Sequence, residues 1–263
     1  MKPKLFIGSS VEGLTVAENI KVKLDYNFDI DLWNEGVFGI GNTTLDDLLR
    51  KLEESDFGIF VFTPDDKAVI RKENLDVVRD NVLYELGLYT GKLGRKSTFI
   101  IAPDNLTKEF HLPSDLIGIN YGTYGVSKIN SNPESAVSTF CTKLKSQIFN
   151  KSKYALNGKW KFTWHPENSV NYTQPIIDEV DVFHYENLVK FVHKVKTDEK
   201  YILKGEISNR CLTGNYKSFN GVSYDGVFQM KLNGQGNLFE GLFIGWKNSG
   251  IIGSGKCSLE KIS

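Results

Sequence analysis

Two hydrophobic periods divide this chain. Up to about residue 150, short apolar runs alternate with segments whose apolar positions recur every three or four residues; beyond it, apolar and polar residues alternate one by one. In the first part, residues 5–7, 28–33, 57–62 and 98–102 read as buried strands, with a fifth near 117–121. Between them the spacing predicts a helix over 14–24 and a second helix capped by Asn42 or Thr43. Asp46 and Asp47 lie in that helix's first turn, where negative charge suits the dipole. Thr63, Pro64, Asp65 and Asp66 end the third strand, and a polar loop leads to a helix carrying Val82, Leu86, Tyr89 and Leu93 as one stripe. A last helix opens at Pro133 and buries Val137, Cys141, Leu144 and Ile148. Strands that are apolar throughout, alternating with helices, define a parallel sheet covered by helices on both faces, the flavodoxin-like arrangement.

The second part reads as short antiparallel strands. Trp160, Phe162 and Trp164 share one face, as do Val189, Phe191, His193 and Val195, then Tyr201, Leu203, Gly205 and Ile207, then Tyr224, Gly226, Phe228 and Met230. Asn-, Gly-, Ser- and Asp-rich turns separate them, such as Asn233-Gly234-Gln235-Gly236-Asn237. Gly-x-aromatic recurs at Gly158/Trp160, Gly214/Tyr216, Gly226/Phe228 and Gly241/Phe243, which fits the bends of a closed antiparallel β-barrel. Such a barrel either fills with side chains or encloses one small ligand. The fold class is therefore α/β followed by all-β, with domains at 1–150 and 154–263.

Charge narrows the function. The 263 residues balance 32 basic against 32 acidic side chains, which argues against a DNA or RNA footprint. Residues 1–150 hold 17 Lys/Arg against 21 Asp/Glu and the rest 15 against 11, so the halves differ mildly in sign. Cys141, Cys211 and Cys257 are too scattered for a zinc site, and no metal is expected. Unpaired thiols, the lack of a signal-peptide core at the N-terminus and the lack of a membrane-length apolar run together predict a soluble, cytoplasmic protein without a membrane partner.

Ligands of such sheets bind at the carboxyl ends of the strands. That rule gathers Gly8-Ser9-Ser10, the loop 34–41, Pro64-Asp65-Asp66 and the segment entering the Arg79-Asp80-Asn81…Glu85 helix. Asn81 and Glu85 project from one helix face. Gly87 and Gly91 each cost the helix about 1 kcal/mol against Ala, a common mark of close approach by another backbone or a ligand. By residue type alone, Glu85 reads as a solvated surface carboxylate.

These residues resemble a TIR domain, and more narrowly the TIR-like domains of bacterial anti-phage effectors. The matching segments are Phe6-Ile7-Gly8-Ser9-Ser10, Trp33 to Phe38 with Gly36, Phe62 to Asp66, Arg79-Asp80-Asn81 through Glu85-Leu86-Gly87, Leu93-Gly94-Arg95 and Pro113 to Gly118. The resemblance covers residues 1 to about 150. It implies NAD+ glycohydrolase activity with Glu85 as the catalytic residue and NAD+ as substrate rather than cofactor. It further implies that Gly8, Ser9 and Ser10 hold phosphate or ribose, that Trp33 and Phe38 stack on a ring, and that Asp65, Arg79 and Asn81 line the substrate. Assembly of several copies is implied as well. The second part is similar to lipocalin-like barrels and to the barrel sensor of effectors in cyclic-oligonucleotide anti-phage systems (CBASS). That likeness implies a cyclic oligonucleotide as activator. Arg210, the one arginine of this half, is the candidate phosphate contact, in a turn between two strands. A nucleoside deoxyribosyltransferase-like enzyme and a non-enzymatic TIR scaffold with a carrier barrel for a hydrophobic ligand are the competing readings.

Overall fold

In a computed structural model, the described residues are 2–34, 44–107, 109–116, 120–149, 156–167, 174–196, 199–219, 225–246, 250 and 252–262. The chain separates into two compact units, residues 2–147 and 148–263.

The first unit is built on five parallel strands: β1 (Lys4–Gly8), β2 (Asp29–Leu32), β3 (Phe57–Val61), β6 (Thr98–Pro103) and β8 (Gly122–Tyr124), in the order β2-β1-β3-β6-β8. Strand order reverses across β1 and β3, which opens a crevice at their carboxyl ends. The helices are α1 (Leu14–Leu24), α2 (Thr44–Glu54), α3 (Asp80–Leu93), a short α4 (Val126–Ile129) and α5 (Pro133–Phe149). Strand alternation divides the core. Phe6, Phe60, Ile100 and Ala102 meet Leu52 of α2 and Val82, Leu86 and Tyr89 of α3. On the other face Val61 approaches the start of α1, whose Val16, Ala17, Ile20 and Leu24 are buried. Tyr89 stacks on Phe6 at 4.8 Å and meets Phe60 edge-on at 5.4 Å, so α3 is fixed against β1 and β3 by aromatic contact.

Two expectations needed correction. The segment before α3 is not a polar loop but a hairpin, β4 (Asp66–Ile70) and β5 (Glu73–Val77), joined by β7 (Phe110–His111) into a second small sheet. Its turn is Arg71-Lys72 with φ of 50° and 74°, a left-handed pair usually supplied by Asn-Gly. The fifth strand lies at 122–124 rather than 117–121; Ser114–Leu116 forms a 3₁₀ turn, and 117–119 lie outside the described residues.

The second unit is a closed eight-stranded antiparallel barrel: β9 (Gly158–Glu167), β10 (Ile176–Tyr185), β11 (Leu188–Lys196), β12 (Glu199–Ser208), β13 (Cys211–Ser218), β14 (Asp225–Leu232), β15 (Leu238–Trp246) and β16 (Ile252–Lys261), which returns to β9. Every described member of the four alternating sets points inward or packs on the interior; Tyr224 lies outside the described residues. Trp160, Phe162, Trp164, Phe191, Tyr201, Tyr216, Phe228, Phe239 and Phe243 are all buried among the described residues, and the space enclosed by Phe162, Trp164, Leu203, Tyr216, Phe228, Phe243 and Cys257 is about 10 Å³, at most that of one water. Glycines let the aromatics in: a Cβ on Gly245 would lie 2.0 Å from the Tyr216 hydroxyl. No helix among the described residues is long and apolar enough to cross a membrane.

Candidate active site

Gly8 ends β1 where the crevice opens, and α3 passes above it. A Cβ at Gly8 would sit 2.7 Å from Glu85 Oε2 and 2.9 Å from the Phe60 ring, so only glycine leaves the Glu85 carboxylate its place. Glu85 Oε2 is buried and accepts no hydrogen bond from any described residue. Lining by Phe60 and the neighbouring apolar core withholds water from the charge, and this burial pushes the carboxyl up to about 7. A native protein tolerates an unsatisfied buried carboxylate where function requires it.

Beside it, Ser9 Oγ accepts a hydrogen bond from Trp33 Nε1 at 2.8 Å, which pins the indole just past the end of β2. Ser10 Oγ lies 3.0 Å from Thr63 Oγ1 and accepts the Gly13 N–H at 3.1 Å, closing the entry turn of α1. Gly8, Ser9, Ser10, Trp33 and Glu85 are thus brought together across β2, β1 and β3. Asp65, just past β3, keeps Oδ2 buried without a hydrogen bond, and its charge adds to the burial that raises Tyr124 at the end of β8.

Arg79 gives both contacts of its Nη1 to Asp66, at 2.8 and 3.0 Å, tying the start of α3 to β4 on the exposed side. Asn81 is exposed and makes no hydrogen bond to Glu85 Oε2. Phe38 lies outside the described residues. Neither Thr63 nor Tyr124 was a candidate site residue in the sequence; Thr63 sits in a segment that was noted, while nothing marks Tyr124, the last residue of β8.

In the barrel, Arg210 forms the β12–β13 hairpin turn with Asn209, both at positive φ, and donates to the Asn233 carbonyl of the β14–β15 turn. His193 is fully buried between Phe162 and Trp164, with ring centroids at 4.9 and 5.3 Å. Neither ring nitrogen makes a hydrogen bond; Nδ1 lies 3.6 Å from Asp178 Oδ2. Burial holds the imidazole well below its ordinary value despite that carboxylate. The folded barrel refuses a proton that the unfolded chain accepts. Barrel stability should therefore be level above the unfolded value of 6.5 and fall as pH drops below it toward the folded value. Thermal melts of the full chain from about pH 7 to about pH 5 should show the barrel transition moving down, and His193→Leu should flatten that slope. An unchanged slope in the variant would mean another group sets it.

A parallel five-stranded sheet in this order, with a desolvated carboxylate held over the first glycine loop, agrees with the TIR-like reading of the first unit. Residues 4–125 match the family described as "CAP12/Pycsar effector protein, TIR domain". The chain is 40% identical over 148 residues to the Pycsar effector protein PaPycTIR of Pseudomonas aeruginosa, covering 56% of this chain and 47% of that protein. It is 42% identical over 119 residues to CD-NTase-associated protein 12 of Flavobacterium daejeonense, 45% of this chain and 37% of that one. It is 34% identical over 146 residues to the Pycsar effector protein XpPycTIR of Xanthomonas perforans, 55% and 47% respectively. The chain thus spans about half the length, or less, of these relatives. The similarity of the first unit is therefore to TIR domains of CAP12/Pycsar effector proteins, over just under half of the chain in the family match.

Proposed function

We propose that this protein is an NAD+ glycohydrolase of anti-phage defence, held idle until its barrel binds a cyclic oligonucleotide. The observation that carries the enzymatic half is the buried, unpaired Glu85 Oε2 over Gly8, at the carboxyl end of the sheet. The bond to be cut joins C1′ of ribose to nicotinamide. Its electron pair leaves with nicotinamide, which departs neutral from a cationic ring and needs no strong acid. The ribose is left close to an oxocarbenium ion, and water then adds at C1′. Ionised Glu85 stabilises that cation in a site where water does not screen it. Ser9, with Trp33 fixed on its Oγ, and the backbone of 8–10 face the rest of the substrate. Asp65 is the second carboxylate available to a ribose hydroxyl. Arg79, through its pair with Asp66, holds the start of α3 at the edge of the site.

The activating half rests on the similarity of the first unit to effector proteins and on the likeness of the second to a messenger-binding barrel. The small space among the inward aromatic side chains, about 10 Å³, favours a ligand read at the barrel's surface or mouth. NAD+ loss confined to infected cells, with cleavage switched on only when the messenger is present, is the regulated outcome of this arrangement.

Its pH dependence provides a test. Glu85 must be ionised to act, so kcat/KM of the activated enzyme should rise with pH and level off above about 7. A cationic nicotinamide ring beside the carboxylate favours the ionised form, so the limb seen in kcat should lie lower. A kcat/KM that stays flat from about pH 5 to about pH 8 would remove Glu85 from the reaction.

A further inference from the structure

The outer face of the barrel is charged over β9 and β10, where Lys159 pairs with Glu179 and Asp181, and Lys161 with Glu260. Across β14, β15 and β16 the pattern inverts. Val227, Leu242, Ile244, Trp246 and Ile252 are each between 39% and 61% exposed. The strand register makes them one patch. Asp225, Trp246 and Ile252 lie side by side in one row; Val227, Ile244 and Ser254 in the next; Gln229, Leu242 and Lys256 in the third. Five large apolar side chains in adjacent positions form a surface at the upper range of what a monomer exposes in one patch, roughly 500 Å².

We infer that this patch docks on the same patch of a second copy of this chain. The charges at its corners favour that partner. Asp225 and Lys256 stand at diagonally opposite corners of the grid, both exposed. A two-fold axis along the other diagonal, through Ile252, Ile244 and Gln229, exchanges them. Asp225 of each copy then meets Lys256 of the other, Val227 meets Leu242, Trp246 covers Ser254, and Ile244 and Ile252 meet their own copies. With rows about 6.7 Å apart along the strands and strands about 4.8 Å apart, the strands of the two copies cross at roughly 70°, and the paired positions come within side-chain reach. Such an interface is isologous and closes at two copies. Two patches together reach about 1,000 Å², the lower bound for a specific association, so the dimer forms reversibly. This pairing does not depend on NAD+ cleavage or on the messenger, and it would bring two TIR domains into one particle.

Sedimentation velocity of the full chain over a concentration series, without nucleotide, tests it. The wild type should shift from monomer to dimer as concentration rises. Ile244→Glu should weaken dimerisation roughly tenfold or more, because a charge would be buried at the two-fold axis. Lys256→Asp should weaken it as well, and adding Asp225→Lys to that variant should restore it. Circular dichroism melts like wild type confirm that the variants fold. Three results would overturn the inference: a wild type that stays monomeric throughout, variants that dimerise like wild type, or a double swap that fails to recover. A monomeric wild type that co-sediments with phosphatidylcholine vesicles would assign the patch to a lipid surface instead.

Discussion

Glu85→Gln should abolish nicotinamide release, with a loss of roughly 10²–10³-fold or more. The amide keeps the shape and removes the buried negative charge over Gly8 that meets the developing cation. The same substitution should make the TIR domain more stable at pH 8. Glu85 holds its proton more tightly in the folded domain than in the unfolded chain, with values of about 7 against 4.5. Its contribution to stability is therefore full below the unfolded value and lost as pH rises through about 7, leaving the buried charge a cost on the order of 3 kcal/mol at pH 8. A neutral Gln removes that cost. Lower activity with a higher melting temperature above pH 7, and no gain at about pH 4, is the expected signature. A variant that loses activity together with stability at every pH would point to a structural role.

Gly8→Ala should be the next most damaging single change. The added methyl would lie 2.7 Å from Glu85 Oε2 and 2.9 Å from the Phe60 ring. Phe60 is packed against Tyr89 and cannot retreat, so the carboxylate must. Displacing a reacting group by about 1 Å costs on the order of 10²-fold in rate. Overpacking should cost about 1–3 kcal/mol as well. Turnover and a thermal melt of the purified variant separate the two. Activity near wild type would show that the carboxylate does not work from its position over Gly8.

Most of the architecture was legible in the chain. Helix α1 reads directly from the spacing of Val16, Ala17, Ile20 and Leu24, and the inward set of the barrel from the alternation through Phe162, Phe191 and Leu203. The β4–β5 hairpin was not, because Arg71-Lys72 takes a left-handed turn without the Asn-Gly that announces one. Strand β8 has only three residues, and the apolar run before it drew the assignment forward. On β15 the alternation breaks down for a different reason. Leu242, Phe243, Ile244 and Trp246 are apolar on both faces, which hides the strand period and marks the outer patch.

The site was legible as a set of segments, not as a geometry. Glu85 stood out through its motif, yet nothing in the sequence says that its carboxylate lies over Gly8 or that Phe60 dries it; both follow from the β1-β3 pairing. The family motif drew attention to Arg79 and charge to Arg210; the structure adds that Arg79 pairs with Asp66 and Arg210 donates to the Asn233 carbonyl. A side chain's type is visible in the sequence, and its partner is not.

The most direct measurement is nicotinamide released from NAD+ by the full chain, titrated with cyclic di- and trinucleotides, beside Glu85→Gln at equal concentration. The account predicts rapid release by the wild type with one of these messengers, little without it, and none above background from the variant. Intact NAD+ with every messenger and at every protein concentration, or equal release by Glu85→Gln, would contradict it.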